Sequence, residues 1–294
     1  MSYDVVCIGA ANLDTIAVVD DLPGSDERTT THAVIDAGGG PAGTAAVTMA
    51  RLGLSVAFCG VVGDDAAGDE ICRLLDAEGV DTRWMTRIAG STPRSMILVE
   101  RATAARTIVA SIATPPRAED IPLDQSAWLH VDQTGYAPAA EALRLAGAGP
   151  RLSVDGGNPI TDLALDVVSL YAPTRSAIGR RYPGVPVEDA MRAAHAEGAD
   201  DVVVTDGSAG ALVLIAGDAV HVPAFDGRIV STMGAGDVFH GGLVAALVHG
   251  DDLPAAVRRA SATAMISCRA LDGRSGIPTL EELDAFLAAP RQGR

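Results

Sequence analysis

The sequence predicts an α/β fold in which a mostly parallel central sheet is covered by helices on both faces and a small β-sheet forms a lid. Short apolar runs alternate with helix-like segments along most of the chain, which is typical of parallel strands joined by crossover helices. Two pairs of β-rich runs near the N-terminus interrupt this alternation. The 294 residues are enough for one large α/β domain with a small appendage. We therefore expect a single domain, residues 1–294, with a lid formed by residues 12–36 and 92–113.

The first half of the chain begins with a buried strand, because residues 3–9 form a β-rich apolar run that ends in glycine. Turn residues at 22–25 separate the two strands of a hairpin, and helical periodicity that stops at a glycine predicts two helices. The predicted elements that follow the first strand are strands 15–19 and 29–35, helix 41–52, strand 55–62, helix 66–78, and strands 95–100 and 106–112. The two antiparallel pairs form the predicted lid, and an exposed β face of this kind is a candidate homodimer surface.

The second half continues the alternation and ends in helices. Its predicted strands are 127–131, 151–155, 175–178 and 201–205, separated by helices 138–146, 162–169 and 187–197, and a hairpin of strands 211–215 and 219–222 follows. The last three predicted helices are 235–249, 253–267 and 280–288. Asp251 and Asp252 are natural N-caps for the second of these.

The composition argues against several classes of function. Aromatic residues make up 3% of the chain, too few for a platform that stacks nucleic-acid bases, and the formal net charge of −16 repels nucleic acid and anionic membranes. No apolar run approaches the roughly 20 residues of a membrane span, and the N-terminus lacks the basic region of a signal peptide. The four cysteines form no C-x-x-C pair and predict reduced thiols. We therefore expect a cytoplasmic protein that binds neither nucleic acid nor membrane.

The most informative segment is the glycine-rich turn at residues 231–236, which is followed by Asp237 and an apolar helix. Backbone amides at a helix start are unpaired, and the helix dipole adds positive charge there. We therefore predict that Gly234, Ala235 and Gly236 bind a phosphate group, and that the two glycines contact a nucleotide. Beside such an anion, Asp237 would act as a general base for a hydroxyl. The alternatives are a plain tight turn and an ordinary helix N-terminal aspartate.

Two glycine-rich blocks resemble the signatures of the ribokinase-like (PfkB) carbohydrate kinases. One is GGGPAGTAA at residues 38–46, with ARLG at 50–53 and GVVGDD at 60–65, and the other is TMGAGD at 232–237. GAANLD at 9–14, DLP at 21–23 and TDGSAG at 205–210 also fit, so the resemblance covers nearly the whole chain. It implies a three-layer sandwich with a lid, a sugar substrate, and ATP and Mg²⁺ as cofactors, and it leaves open a monovalent cation.

Within this family, three segments look most like the sulfofructose kinases: residues 38–46, residues 234–247 and LDGRSGIP at residues 271–278. The resemblance places their sulfonate pocket at Arg28, Ala110 and Thr134, of which only Arg28 is charged. A fructose-like sugar, a sulfofructose-like sugar and another sugar acid therefore remain open as substrates. Two further alternatives are a nucleoside kinase, for which an aromatic base-stacking residue is expected, and a non-catalytic sugar-sensing homologue.

The candidate sugar ligands follow the first strand, at the carboxyl end where α/β proteins bind ligands. Asn12 and Asp14 can hydrogen-bond to sugar hydroxyls, and an Asx turn is the alternative. Gly39, Gly40 and Gly43 would lie against the sugar with their backbone. The same glycines satisfy G-x-G-x-x-G, which we do not interpret as a dinucleotide site because the first strand ends too early.

The remaining candidates bind phosphate or nucleotide. Thr205, Gly207 and Gly210 follow a strand and suit a nucleotide that passes over bare backbone, although a plain β-turn is the better explanation of this segment taken alone. Arg28 and Arg106 lie in the lid segments and could clamp a phosphate or an acidic sugar, with a solvated surface arginine as the alternative.

The chain departs from the family pattern, which usually has Asp at the position of Ser231 and Asn at that of Gly43. No clear copy of the Asn-x-x-Glu motif, which helps to organise Mg²⁺ and phosphate, is present near residues 175–181, and we name no protein ligand for a metal.

Four polar residues fall near predicted strand ends or in the apolar helix. We interpret His240, one turn into that helix, as a packed histidine, and His130, Asp132 and Asp155 have no metal-ligand spacing.

Overall fold

The structure is a computed structural model that describes residues 2–103 and 105–289. Its strands are, in chain order, β1 (Tyr3–Ile8), β2 (Asn12–Val19), β3 (Ala33–Gly39), β4 (Val56–Gly63), β5 (Val80–Ile88), β6 (Arg94–Glu100), β7 (Arg106–Ala110), β8 (Ser126–Val131), β9 (Arg151–Gly156), β10 (Leu170–Pro173), β11 (Asp201–Thr205), β12 (Ala211–Ile215) and β13 (Asp218–Val222). Its α-helices are α1 (Pro41–Arg51), α2 (Ala66–Ala77), α3 (Tyr136–Ala146), α4 (Arg175–Arg181), α5 (Val187–Ala196), α6 (Ala235–Val248), α7 (Leu253–Ser267) and α8 (Leu280–Ala288). The predicted domain 1–294 also includes Met1, Ala104 and residues 290–294, which lie outside the described residues.

Nine strands form one large sheet in the order β13-β12-β11-β10-β9-β8-β1-β4-β5. Seven neighbouring strands of this sheet pair in parallel, in the order β5-β4-β1-β8-β9-β10-β11. Strands β12 and β13 add an antiparallel hairpin at the β11 edge. The strand order reverses between β1 and β8, so the carboxyl ends of these strands border the crevice in which open α/β sheets bind ligands.

Helices cover both faces of this sheet and produce the predicted three layers. On one face, α1, α6 and α7 pack together and bury residues such as Leu243 and Val257. On the other face, α3, α4 and α5 bury residues such as Ile178 and Met191. Strand β4 is buried along its whole length, which explains its uninterrupted apolar and small-residue sequence. None of the helices in the described part of the chain is long and apolar enough to cross a membrane.

The four remaining strands form a separate small sheet in the order β3-β2-β6-β7. Side chains alternate along β6, where Ser95, Ile97 and Val99 are buried and Met96 is exposed. The second strand of the predicted hairpin is shifted toward the C-terminus, because β3 begins at Ala33 and pairs with β2 as far as Gly39. The lid sheet therefore extends beyond the predicted limit at residue 36.

Two elements predicted in the middle of the chain are wrong. Residues 175–178 begin α4 rather than forming a strand, because the Thr174 hydroxyl caps the helix by accepting a hydrogen bond from the Ala177 amide. Residues 162–169 form turns rather than a helix, and buried Leu165 and Val168 fix this segment to the core. Edge strand β5 was not predicted, because its polar residues interrupt the apolar pattern.

Candidate active site

The turn before α6 has the backbone geometry of an anion cradle. Gly234 is the N-cap of α6 with a φ of +70°, and a Cβ built on it would lie 2.9 Å from the Gly273 backbone. A Cβ built on Gly236, by contrast, would meet no atom within 4 Å. The Ala235 amide donates to the Thr232 carbonyl at 3.3 Å, and the next two amides precede any intrahelical partner. Gly234 is therefore required by its conformation and packing, whereas Gly236 leaves open space at the helix N-terminus.

Asp237 is the third residue of α6, and its carboxylate is partly exposed. Burial raises the pKa of Asp237 to about 7, and the negative charge of Asp155 adds to this shift, while His240 opposes it. A carboxyl whose pKa lies near neutrality exchanges protons readily at physiological pH. This is the property required of a general base for a hydroxyl.

A buried ion pair lies close to Asp237. His240 Nε2 is 3.1 Å from Asp155 Oδ1, and the two side chains are 4% and 7% exposed. Burial lowers the pKa of His240, but the adjacent Asp155 and Asp237 carboxylates outweigh burial and raise it overall. His240 is thus buried, as expected, and its pKa is raised because it is paired with Asp155.

Asp132 fixes the loop after the first strand. Its carboxylate accepts hydrogen bonds from the amides of Ala10, Ala42, Thr134 and Gly135, at 2.8, 3.3, 2.8 and 3.0 Å. These contacts join the end of β1 to the first turns of α1 and α3. Burial raises the pKa of Asp132 to about 6, against the effect of its amide donors. The residue therefore has a structural role at the ligand-binding edge of the sheet.

Asn12 and Asp14 lie on the lid strand β2, beside the glycines of β3. The Asn12 amide nitrogen is 3.4 Å from the Ser95 hydroxyl, and one side-chain oxygen each of Asn12 and Asp14 is buried without a partner among the described residues. A Cβ on Gly39 would lie 1.9 Å from an Asp14 carboxylate oxygen, so Gly39 allows the carboxylate to lie against the backbone. Gly40 has a φ of +86°, and a Cβ built on it would lie 2.4 Å from the Ala10 carbonyl oxygen. The predicted sugar ligands are therefore brought together, with oxygen acceptors that lack protein donors.

Arg274 supplies a buried cation to this group. Its Nη2 donates to the Gly39 carbonyl at 2.6 Å and its Nε to the Thr44 hydroxyl at 3.4 Å. A Cβ on Gly43 would lie 2.6 Å from Nη2, so the guanidinium occupies the space that a side chain at position 43 would need. Burial lowers the pKa of Arg274 to about 10, which leaves it charged at neutral pH, and Asp14 is the carboxylate that most opposes this shift.

The predicted nucleotide residues line a cavity of about 320 Å³ that reaches the N-terminus of α6. Thr205, Gly207, Gly210 and Gly236 all contribute to its wall. The wall also contains apolar side chains, which include Phe225, Ile229, Phe239, Ala264 and Met265. The cavity wall thus combines bare backbone with apolar side chains, which suits a nucleotide. Gly210 additionally has a packing role, since a Cβ there would lie 2.3 Å from the Val222 carbonyl.

A larger depression of about 940 Å³ lies beside α3, and its walls include none of the predicted site residues.

The chain matches the sequence pattern described as pfkB family carbohydrate kinase over residues 2–154 and 170–280. It belongs to the pfkB family of carbohydrate kinases. Its relatives include Haemophilus influenzae ribokinase, which is 27% identical over 304 residues covering 98% of this chain and 99% of the relative. The ATP-dependent ribose-1-phosphate kinase of Halopiger xanaduensis is 29% identical over 292 residues, covering 97% and 98%. The crystal structure of Thermotoga maritima ribokinase has a TM-score of 0.86 at 25% identity, covering 98% of this chain and all of that one.

These similarities confirm the predicted family, the fold and the phosphotransferase class. The relatives named above are ribokinases and a related sugar kinase, so the sulfofructose kinase subgroup stays a prediction.

The two predicted lid arginines differ in position in this pfkB kinase. Arg106 is exposed on β7, and its Nη1 donates to the Thr232 hydroxyl at 2.6 Å, which brings a lid cation to the turn before α6. Arg28 is exposed in the connection between β2 and β3, and its side chain makes no hydrogen bond or ion pair with another described residue. The structure thus joins Arg106, but not Arg28, to the candidate active site.

Sequence reasoning assigned no site role to Arg274, Ser95 or the Asp155–His240 pair. The position of Asp155 near the carboxyl end of β9 could have indicated a site role for it, because α/β sheets bind ligands at the carboxyl ends of their strands. The proximity of Arg274 to Gly43, 231 positions earlier in the chain, is a tertiary contact that no local pattern reveals.

Proposed function

We propose that this protein is an ATP-dependent sugar kinase that transfers the γ-phosphoryl group to a hydroxyl of a monosaccharide or sugar derivative. The observation that carries the proposal is Asp237, a carboxyl with a pKa of about 7 next to the bare backbone of Gly234 and Gly236. A general base and an anion cradle on the same helical turn are the two groups that phosphoryl transfer to a hydroxyl requires.

The proposed sugar site lies between the main sheet and the lid. Asn12 and Asp14 would accept hydrogen bonds from sugar hydroxyls with their unpartnered oxygens, and Arg274 would donate from the opposite side. Gly39, Gly40 and Gly43 keep this region free of side chains, so that the sugar lies against backbone. Closure of the lid over the sugar would exclude water, which otherwise competes as the phosphoryl acceptor.

ATP would occupy the cavity lined by Thr205, Gly207 and Gly210, with its γ-phosphate at the open space beside Gly236. This fit rests on the bare backbone and the apolar side chains that together line the cavity. Mg²⁺ would be held mostly by phosphate oxygens and water and would neutralise phosphate charge. Arg106, hydrogen-bonded to Thr232, would place a lid cation beside the transferred group.

In the proposed reaction, Asp237 takes the proton of the acceptor hydroxyl as the oxygen bonds to the γ-phosphorus. The bond between that phosphorus and the β–γ bridging oxygen breaks, and ADP leaves with the bonding electrons. The amides at the start of α6 and the Arg106 guanidinium stabilise the charge on the transferred phosphoryl group.

An ADP-release assay tests this proposal with a panel of neutral ketoses and aldoses, sugar acids, sulfosugars and nucleosides. We expect turnover of at least one sugar or sugar derivative, and loss of that turnover in Asp237→Asn. Turnover of nucleosides alone would instead identify a nucleoside kinase. Sugar binding by calorimetry without ADP release from any compound would identify a non-catalytic sugar sensor.

We also propose that two copies of the chain pair through their lids. The outer lid face exposes Val34, Met96 and Val109 at 58%, 69% and 65%, and Met96 and Val109 are cross-strand partners. An exposed apolar sheet face of this kind is a typical site of association. Sedimentation at micromolar concentration should show a dimer, and Met96→Glu with Val109→Lys should give a monomer. A wild-type monomer under these conditions would contradict the proposal.

A further inference from the structure

The Asp155–His240 ion pair lies beneath the catalytic helix and has no assigned part in the reaction. Asp155 comes from β9 and His240 from α6, so the pair connects the sheet to the helix that carries Asp237. Both side chains are less than a tenth exposed. Buried ion pairs of this kind rarely add stability, because desolvation offsets their attraction. A requirement of the site is therefore the better explanation for the pair.

His240 follows Asp237 by three positions on α6, so the two side chains lie on the same side of the helix. One ring nitrogen of His240 contacts Asp155, and the other, Nδ1, is buried without a partner among the described residues. The negative charges of Asp155, which contacts the ring, and of Asp237, one turn away along α6, both favour the charged form of this imidazole.

The other charged and titratable groups near this imidazole come from neighbouring strands and from the segment before α8. His130 on β8 has its ring centroid 6.0 Å from that of His240, and its Nδ1 lies 3.1 Å from the Ser153 hydroxyl. Burial lowers the pKa of His130 to about 3, so this ring is neutral. Asp132, after β8, raises the pKa of Asp237, and Arg274 lowers it. The pKa values of the two neighbouring imidazoles are therefore shifted in opposite directions, down for His130 and up for His240.

We propose that His240, kept protonated by Asp155, is a positioning residue that holds Asp237 ionised and ready to accept the proton of the acceptor hydroxyl. This inference rests on the proposed kinase function. Without His240, the carboxylates of Asp155 and Asp237 would lie near each other in a poorly solvated site with no cation between them. Two such carboxylates share one proton, and that proton would compete with the substrate for Asp237 at neutral pH.

The charge state of His240 is measured first, on the wild-type protein without any substrate. ¹⁵N-detected NMR of the imidazoles, assigned with His240→Gln and His130→Gln, should show His240 doubly protonated at pH 7 and His130 neutral. A neutral His240 at pH 7 would overturn the proposal. This measurement does not depend on kinase activity, so it separates the present inference from the proposed function.

The second measurement is the dependence of kcat on pH with the best sugar of the panel. His240→Gln should move the acidic limb to higher pH by about one unit or more, because the uncompensated Asp155 charge favours protonation of Asp237. The double variant Asp155→Asn with His240→Gln should bring the limb back toward its wild-type position, because it leaves a neutral amide pair. His130→Gln is the matched control and should leave the limb in place, since it removes an adjacent imidazole that carries no charge.

A merely structural role predicts a different result. In that case His240→Gln would lower the melting temperature while its acidic limb superposes on that of the wild type, and the proposal would be wrong. If wild-type protein phosphorylates no compound of the panel, the kinase proposal fails, and the NMR result still decides the charge of His240. If His240→Gln does not fold, the NMR signals of His240 are assigned with the double variant instead, and the charge of His240 in the wild-type protein decides the proposal.

Discussion

Replacement of Asp237 by asparagine should make the protein less active and more stable at the same time. Folding raises the pKa of this carboxyl from its ordinary 3.8 to about 7, first through burial and then through Asp155. The folded state therefore binds a proton more tightly than the unfolded state. Stability that is present below pH 4 is lost as the pH rises through about 7. Asparagine, which is always neutral, does not undergo this loss.

The size of the effect follows from the shift. A difference of about 3 pH units corresponds to about 4 kcal/mol at pH 8, which is an upper bound because Asp237 is partly open to solvent. The folded-state pKa of about 7 lies about two pH units above pH 5, so most of this loss of stability occurs between pH 5 and pH 8. The stability gained by Asp237→Asn should therefore be larger at pH 8 than at pH 5, by up to about 3 kcal/mol.

Urea denaturation at pH 5 and pH 8 measures the stability, and ADP release measures the activity. Turnover should fall by about 10²- to 10⁴-fold, the usual contribution of a general base, and sugar binding should persist. Asp218→Asn is the control for net charge, because Asp218 lies on the exposed β12–β13 hairpin far along the sheet from β1. It should change neither property.

Two results would contradict this reasoning. Near wild-type turnover in Asp237→Asn would remove the general base from the mechanism. A stability difference that is equal at pH 5 and pH 8 would mean that burial and Asp155 do not raise the pKa of this carboxyl.

Three further changes test the rest of the site. Gly236→Ala should leave the melting temperature unchanged but raise the KM for ATP at least tenfold, because its methyl group enters the open space proposed for the γ-phosphate. Gly234→Ala should instead destabilise the fold, since the φ of Gly234 is +70° and the Gly273 backbone is close. Equal melting temperatures for the two variants would contradict these different roles. Arg274→Met should weaken sugar binding in calorimetry by about 10- to 100-fold, the value of a hydrogen bond from a charged group, and an unchanged Kd would remove Arg274 from the sugar site. Arg106→Ser should lower kcat more than it changes sugar affinity, and steady-state kinetics that show only a higher sugar KM would place Arg106 at the sugar instead.

The predictable part of the fold was local. Helices α7 and α8 have the predicted bounds, because each has local apolar periodicity and is directly preceded by its N-cap residue, Asp252 and Thr279 respectively. Residues 175–178 show the limit of this approach. Their apolar character suggested a strand, but the Thr174 cap and the preceding β10 make them a helix.

In the candidate site, too, the local features were predicted and the long-range contacts were not. The glycine-rich turn and Asp237 were predicted because a helix N-terminus, two glycines and a carboxylate follow one another directly in the chain. The environment of Asp237 was not predicted, because Asp155 and Arg274 reach it from distant segments.

By itself, the sequence determined the layered α/β fold and the position of the glycine-rich turn before α6, because periodicity and turn chemistry act over a few residues, and its motifs indicated the family. Only the tertiary structure decided which charges surround that turn. Burial and long-range Coulomb interactions depend on which strand ends and helix faces meet, and they set the protonation of Asp237, the charge of His240 and the position of Arg274 beside Gly43.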